Sequence, residues 1–347
     1  MFYSGTEAGG KVYFPLKCAR GWPTNPHAPA NPPGSFAMSS EPAPNTQQHA
    51  TPVMYRFTLW NKFAGALGAL RMRFFPRRVL VAGPYLGELG HELMDWQAWV
   101  RAQAARHAET HVITYPGREF LYPGCAVHAH DVPLEKAGYK HGRFSPRELE
   151  AMAREKAEAL GLRDYDILTA LHLCTSYHQR FLLPAKFELL AKPPAGGPLR
   201  DIAFHFRKVN KEGPDDSRNY APELCDRLAA LCVERGHRVC CVGHPRYSYC
   251  PPGVEDLRSE EMGRSAEAIS SARLLAGELS GPTHLAQLCG VPVVIWAPGQ
   301  WRIDNCNRWN VFRVPAFVVA NDTTNPDPAL AAEVIDKALK ALRELKK

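Results

Sequence analysis

Apolar positions along this chain follow two rhythms. Short unbroken runs occur at Val79–Ala82, Thr110–Tyr115, Tyr165–Leu171, Asp201–Phe206, His237–Val242, Leu274–Leu279, Pro292–Ala297 and Val311–Val319. They lack polar alternation, as strands buried on both faces of a parallel sheet do. Between them lie stretches with helical spacing at His91–Arg106, Ser145–Gly161, Tyr220–Arg235, Ser265–Ala272, His284–Cys289 and Asp327–Lys347. Ser145 followed by Pro146 is a helix start, and Leu330, Val334, Ile335, Ala338, Leu339 and Leu342 form one inner face of the last helix. Strands alternating with helices in both halves predict an α/β fold of two Rossmann-like domains facing each other across a cleft. Lys192–Pro198, rich in Pro and Gly, reads as the linker. The expected division is 54–192 for the first domain and 193–347 for the second.

Residues 1–53 have neither rhythm. They are rich in Pro, Ala, Asn, Ser and Gln and read as a disordered tail. Gly5-x4-Gly10-Lys11 has the outline of a phosphate loop but lacks the following Ser or Thr and a preceding strand. Residues 55–75 differ again. Phe57, Trp60, Phe63, Leu67, Leu70 and Phe74 fall on one helical stripe, with Arg56, Lys62, Arg71, Arg73, Arg77 and Arg78 around it. Such a helix either packs on the first domain or lies on an anionic membrane surface.

Composition narrows the picture. With 347 residues, 45% hydrophobic and 22% charged, the chain can bury two cores. A net charge of +7 suits anionic ligands, and no dense basic and aromatic segment asks for nucleic acid. The 10 cysteines include no C-x-x-C pair, and Cys225, Cys232, Cys240, Cys241 and Cys289 sit in apolar patterns. A reducing cytoplasmic setting follows, with peripheral contact at the inner membrane face through residues 55–78. Neither a signal peptide nor a long apolar span is expected.

Candidate chemistry gathers at strand ends. After the first strand comes Gly87-Glu88-Leu-Gly90-His91-Glu92, then Asp95. Two glycines permit close approach of backbone to ligand, and His91 and Asp95 share a face at i,i+4 spacing. Glu88, His91 and Glu92 are candidate proton acceptors, and Gly87, Gly90 and Asp95 candidate acceptor contacts. His128, His130 and Asp131 suggest a metal site only weakly, and none is expected. His172, Thr175, Tyr177, His178 and Arg180 form a further polar loop. In the second half, Arg207 and Lys208 end a strand and His244 follows another. Ser280-Gly281-Pro282-Thr283-His284 opens a helix directly after a strand. Free N–H groups and the partial positive charge of a helix start make that turn a phosphate site. Gln300-Trp301-Arg302 and Asn305–Asn310 read as a polar and aromatic loop.

Ser280-Gly281-Pro-x-His284-Leu-Ala, followed by Gly290-x-Pro292, resembles the donor-binding turn of the lipopolysaccharide heptosyltransferase group, and His205-Phe-Arg207 is similar to the H-x-R element of fucosyltransferase-like enzymes. In the first group an Asp usually precedes Ser-Gly; here Leu279 stands there, with Glu278 before it. The resemblance implies the GT-B architecture, a nucleotide-sugar donor, a glycan or lipid-linked acceptor, and neither metal nor cofactor. It places His205, Arg207, Lys208, His244, Ser280, Gly281, Pro282, Thr283 and His284 at the donor. Two other functions fit the same phosphate site: a nucleotide-sugar epimerase, and a non-catalytic nucleotide- or sugar-binding protein. In the resembling architecture the last helix often crosses back to the first domain.

Overall fold

Four parallel strands build the first sheet, and their sequence explains why. β3 (Val79–Ala82) is buried along its whole length, and β4 (Glu109–Thr114) is buried from its second residue on. β5 (Ala126–Ala129) and β6 (Tyr165–Leu168) flank them, in the order β5-β4-β3-β6. Counted from the first strand, that order is 3-2-1-4. α1 (Leu59–Phe74) precedes this sheet, and α2 (Leu89–His91), a π-helical turn (Glu92–Trp96) and α3 (Gln97–Ala104) follow β3 as one continuous helical stretch. α4 (Pro146–Ala159) packs on Val81 and Ile113. Ser145 caps it, and Glu148 reaches back to the Ser145 N–H at 2.6 Å in a capping box.

The second sheet repeats the plan at greater width. β7 (Arg200–Arg207), β8 (Val239–Cys241), β10 (Glu255–Asp256), β11 (Ala272–Glu278), β12 (Val293–Trp296) and β13 (Ala316–Ala320) run parallel. Their order, β10-β8-β7-β11-β12-β13, reads 3-2-1-4-5-6. That is the order of the doubly wound dinucleotide fold. β9 (Ser248–Tyr249) adds an antiparallel pair to the end of β7. α5 (Pro222–Glu234) and α9 (Pro328–Glu344) cover one face, while α6 (Met262–Ser270) and α7 (Gly281–Leu288) belong to the core on the other. β7 and β11 approach so closely that a Cβ at Gly277 would run into the His205 carbonyl.

The structure, a computed structural model, describes residues 2–7, 10–15, 59–87, 89–132, 144–169, 185–208, 219–297, 299–320 and 322–345; the side chains of 2–15, 59–66, Pro146 and Asn305 are not described. Glu88, the loop from 170 to 184 that carries His172 to Arg180, and most of residues 1–58 lie outside this set. Within 1–58, β1 (Phe2–Glu7) and β2 (Gly10–Pro15) form a hairpin that the residue pattern does not predict, and β2 pairs with β13. Lys11 of the phosphate-loop outline stands in β2, a strand rather than a helix start.

Other expectations need correction. Gln300–Trp309 is a helix, α8, not a loop. The last strand is Ala316–Ala320, so the expected run from Val311 starts late because Asn310 closes a turn through bonds to Val314. α9 does not cross to the first half. Its apolar face, including Val334, Ile335, Ala338 and Leu339, packs with α5 on the second sheet. One core joins the halves: Leu80, Trp96 and Trp99 share it with Leu275, Leu285 and Ile295. The segment after residue 184 stitches them further, with Lys186 N–H donating to the Ala98 carbonyl at 2.8 Å and Leu190 N–H to the Leu288 carbonyl at 3.0 Å. No helix among the described residues is long and apolar enough to cross a membrane.

Candidate active site between the two sheets

In a sheet of this order, neighbouring loops diverge where the strand order reverses, and ligands bind outside the carboxyl ends there. In the second half the reversal lies between β7 and β11. β7 ends on Arg207, and β11 ends on Glu278, two residues before Ser280. Of the residues the sequence points to, Arg207, Ser280, Gly281, Pro282, Thr283 and His284 therefore meet at one place.

Glu278 ties that place together. It is 2% exposed, and each oxygen takes one backbone donor: Tyr220 N–H at 2.6 Å and Arg207 N–H at 3.1 Å. Burial raises its pKa to about 7, against the pull of these bonds and of Arg207. The Arg207 guanidinium is fixed by the Asn219 Oδ1 at 3.0 Å. Thr283 is buried and donates its hydroxyl to the Glu278 carbonyl at 3.0 Å, while its Oγ1 accepts from Ser280 N–H at 3.4 Å. Among the described residues, the Ser280 Oγ and the His284 Nδ1 are shielded from solvent and meet no hydrogen-bonding partner. Burial holds the His284 imidazole down at about 4, with the neighbouring His91 also lowering it, so it is neutral near pH 7.

Three expected donor residues sit elsewhere around the rim. The His205 ring is buried under Gly243, with its Nδ1 3.3 Å from the Val242 carbonyl, and burial lowers its pKa to about 4. Gly243 has φ +115°, and a Cβ there would lie 2.8 Å from the His205 Nδ1. Lys208 is exposed, its N–H bonded to the Tyr247 carbonyl. His244 packs on Tyr247, its Nδ1 accepting from Arg246 N–H at 3.1 Å.

The first half faces this site with the loop after β3. Leu89 lies 3.5 Å from where a Cβ on Gly281 would stand. His91, half-buried, is near enough to His284 for its charge to be felt there. The Gln97 N–H bonds the Glu92 carbonyl five residues back, which makes Glu92–Trp96 a π-turn and breaks the α-helical i,i+4 register expected for His91 and Asp95. Glu92 is fully buried. Thr114 and Tyr122 hydroxyls each donate to its Oε1 at 2.6 Å, and Arg118 pairs with its Oε2. Gly87 is buried, and Gly90 and Asp95 are half-buried on the same stretch. Arg118 also lies over the Tyr115 ring at 4.6 Å, and His130 meets that ring edge-on at 4.3 Å. His130 and His128 contact the Tyr85 carbonyl and His111, and no cluster of three or more His, Cys, Asp or Glu side chains that could hold a metal occurs among the described residues.

The sequence places Arg118 and Tyr122 only in a loop after β4 that could line the cleft, and it gives no sign of the parts played by Thr114, Asn219 and Tyr220. Their positions after strands β4 and β7 were legible; their convergence on Glu92 and Glu278 was not.

No family model matches the chain, and no curated protein is significantly similar to it. Solved structures do superpose on it. A glycosyl transferase family 9 protein from Veillonella parvula DSM 2008 is 11% identical, at a TM-score of 0.48 over 77% of this chain and 97% of its own. The E. coli ADP-heptose lps heptosyltransferase II is 13% identical, with a TM-score of 0.48 over 76% and 99%. An E. coli heptosyltransferase WaaC with ADP is 14% identical, with a TM-score of 0.43 over 77% and 99%. Superpositions at this level carry no argument about chemistry; the cleft residues do.

Proposed function

We propose that this protein is a metal-independent glycosyltransferase, which moves a sugar from a nucleotide-sugar donor to a glycan or lipid-linked acceptor. The observation that carries this reading is the meeting of the His91 loop with the Ser280–His284 helix start at the strand reversal. The domains we assign are 54–192 for the acceptor and 193–347 for the donor.

Arg207 presents paired N–H groups that match diphosphate oxygens. The positive end of the α7 helix dipole, with the Ser280 hydroxyl and His284 Nδ1, completes the anion site. As the sugar leaves, negative charge grows on the diphosphate, and these fixed donors stabilise it without reorganising. Cationic and dipolar groups thus stand where a metal would otherwise neutralise charge.

Of the candidate proton acceptors, Glu92 has both oxygens bonded away from the cleft. Its role in this account is to hold Arg118 and the π-turn. His91 is the described residue placed to take the acceptor hydroxyl's proton. The acceptor would lie along Gly87, Gly90 and Asp95.

The test is nucleotide release from a panel of nucleotide sugars, with and without a crude lipid-linked glycan fraction. Release that needs the acceptor and falls by about 10²-fold or more in His91→Ala supports transfer. Donor conversion without acceptor identifies an epimerase. Leu279 at the usual Asp position favours one second reading, a protein that binds the donor without transfer. Tight binding with no turnover would establish it.

A further inference from the structure

Among the described residues, α1 has one apolar face in the core and another exposed. Ala69 and Met72 are buried in the shared core. Leu67 (58% exposed), Leu70 (37%) and Phe74 (63%) stand on the opposite side, and Phe75 (76%) continues the patch past the helix end. Leu67, Leu70 and Phe74 have the i, i+3, i+7 spacing of one helical stripe. Contiguous large apolar side chains in water mark a contact surface.

Its charge identifies the partner. Arg73 lies against Phe74, its Cζ 5.7 Å from the ring centroid. Arg71, Arg77 and Arg78 are exposed beside the patch, and the Arg106 guanidinium reaches the Arg73 carbonyl. Asp166 and Asp164, which pair with Arg71 and Arg77, are the acidic groups on this side. Asp166 is buried, so it offers no surface charge. No Asp or Glu occurs between Glu41 and Glu88. An apolar stripe edged with arginine, its exposed acid Asp164 held by Arg77, fits the boundary between acyl chains and anionic headgroups.

We propose that the outer face of α1, Leu67 to Phe75, docks this protein on an anionic lipid bilayer. Phe74, Phe75, Leu70 and Leu67 enter the headgroup region, and Arg78 meets lipid phosphate. The inference stands independently of the glycosyl-transfer reading, because it uses none of the cleft residues.

The experiment is co-sedimentation of the full chain with vesicles of phosphatidylcholine, with and without phosphatidylglycerol. The wild-type chain should sediment with the phosphatidylglycerol vesicles and much less with phosphatidylcholine alone, and added salt should weaken the binding. Arg78→Ala should lower the partition coefficient about fivefold. The double substitution Phe74→Ser, Phe75→Ser should abolish sedimentation while leaving the circular dichroism spectrum and melting temperature unchanged, since both rings are exposed. Three results would overturn the proposal. One is equal partitioning of wild type and double variant. Another is binding that appears only when residues 1–53 are removed, which would make the chain's own segment the cover. The third is a dimer, seen by sedimentation velocity, that the double variant dissociates without any vesicle binding.

Discussion

Glu278 is a carboxyl group under unusual constraint. It is buried at the end of β11, and the backbone N–H groups of Tyr220 and Arg207 each donate to one of its oxygens. Its pKa rises from an ordinary carboxylate value to about 7. The folded chain therefore holds a proton that the unfolded chain releases between about pH 4.5 and 7. Stability from this group is full below that window and lost as pH rises through it, by roughly 3 kcal/mol at most. Chemical denaturation of wild type and Glu278→Gln across pH 4 to 9 should show a difference between the two that changes over this window and is flat above it. Glu278→Ala leaves two buried donors unpaired, at a cost of about 1–3 kcal/mol each, visible in a urea midpoint. The neighbouring Arg207 is the sharper probe of function. Arg207→Ala should weaken nucleoside-diphosphate binding by about tenfold or more, and, because the side chain is buried and bonded to Asn219, should also lower the melting temperature. Calorimetric titration with ADP, UDP and GDP measures it.

At the scale of elements, residue pattern and structure agree where burial alone decides. β3, β7, β11 and β12 are apolar runs, and they form the middles of the two sheets. α4 is announced by Ser145-Pro146, and its capping box is present. The pattern failed where tertiary contacts chose the outcome. Gln300–Trp309 has few apolar residues and a Gly before it, so it reads as loop; it forms α8, with Ile303 and Cys306 entering the shared core. The π-turn at Glu92 is invisible to periodicity, because its cause lies 22 to 30 residues away in Thr114, Arg118 and Tyr122. The same holds for Asp166. Burial opposes its charge, yet bonds from His107, the Arg77 N–H and Arg71 hold it at about 2 and hook α1 to the sheet. Its stabilising effect is present above about pH 4 and lost as pH falls toward 2, so Asp166→Asn should flatten the acid limb of a stability–pH curve and cost about 2 kcal/mol at neutral pH. Gly277 sets a tighter limit. Gly277→Ala forces a methyl into the His205 carbonyl between β7 and β11, and should cost about 3 kcal/mol in thermal unfolding.

For the whole molecule, the two-sheet plan was legible because strand and helix rhythms alternate in both halves. Which residues face the cleft was legible in part, since parallel strands present their carboxyl ends together. Arg207 and Ser280–His284 follow from that rule. What one chain of letters could not show is that two carboxylates near the cleft, Glu92 and Glu278, spend their oxygens on neighbouring protein groups. On the proposed reading, proton transfer then falls to His91, and charge stabilisation to Arg207 and the α7 start. The measurement that tests this most directly is thermal stabilisation by a panel of nucleotide sugars, in wild type and Arg207→Ala side by side. A donor at a hundred times its dissociation constant should add about 2.7 kcal/mol to wild-type stability and little to the variant. No stabilisation across a broad panel, or an equal shift in both proteins, would contradict a donor site at the β7–β11 reversal.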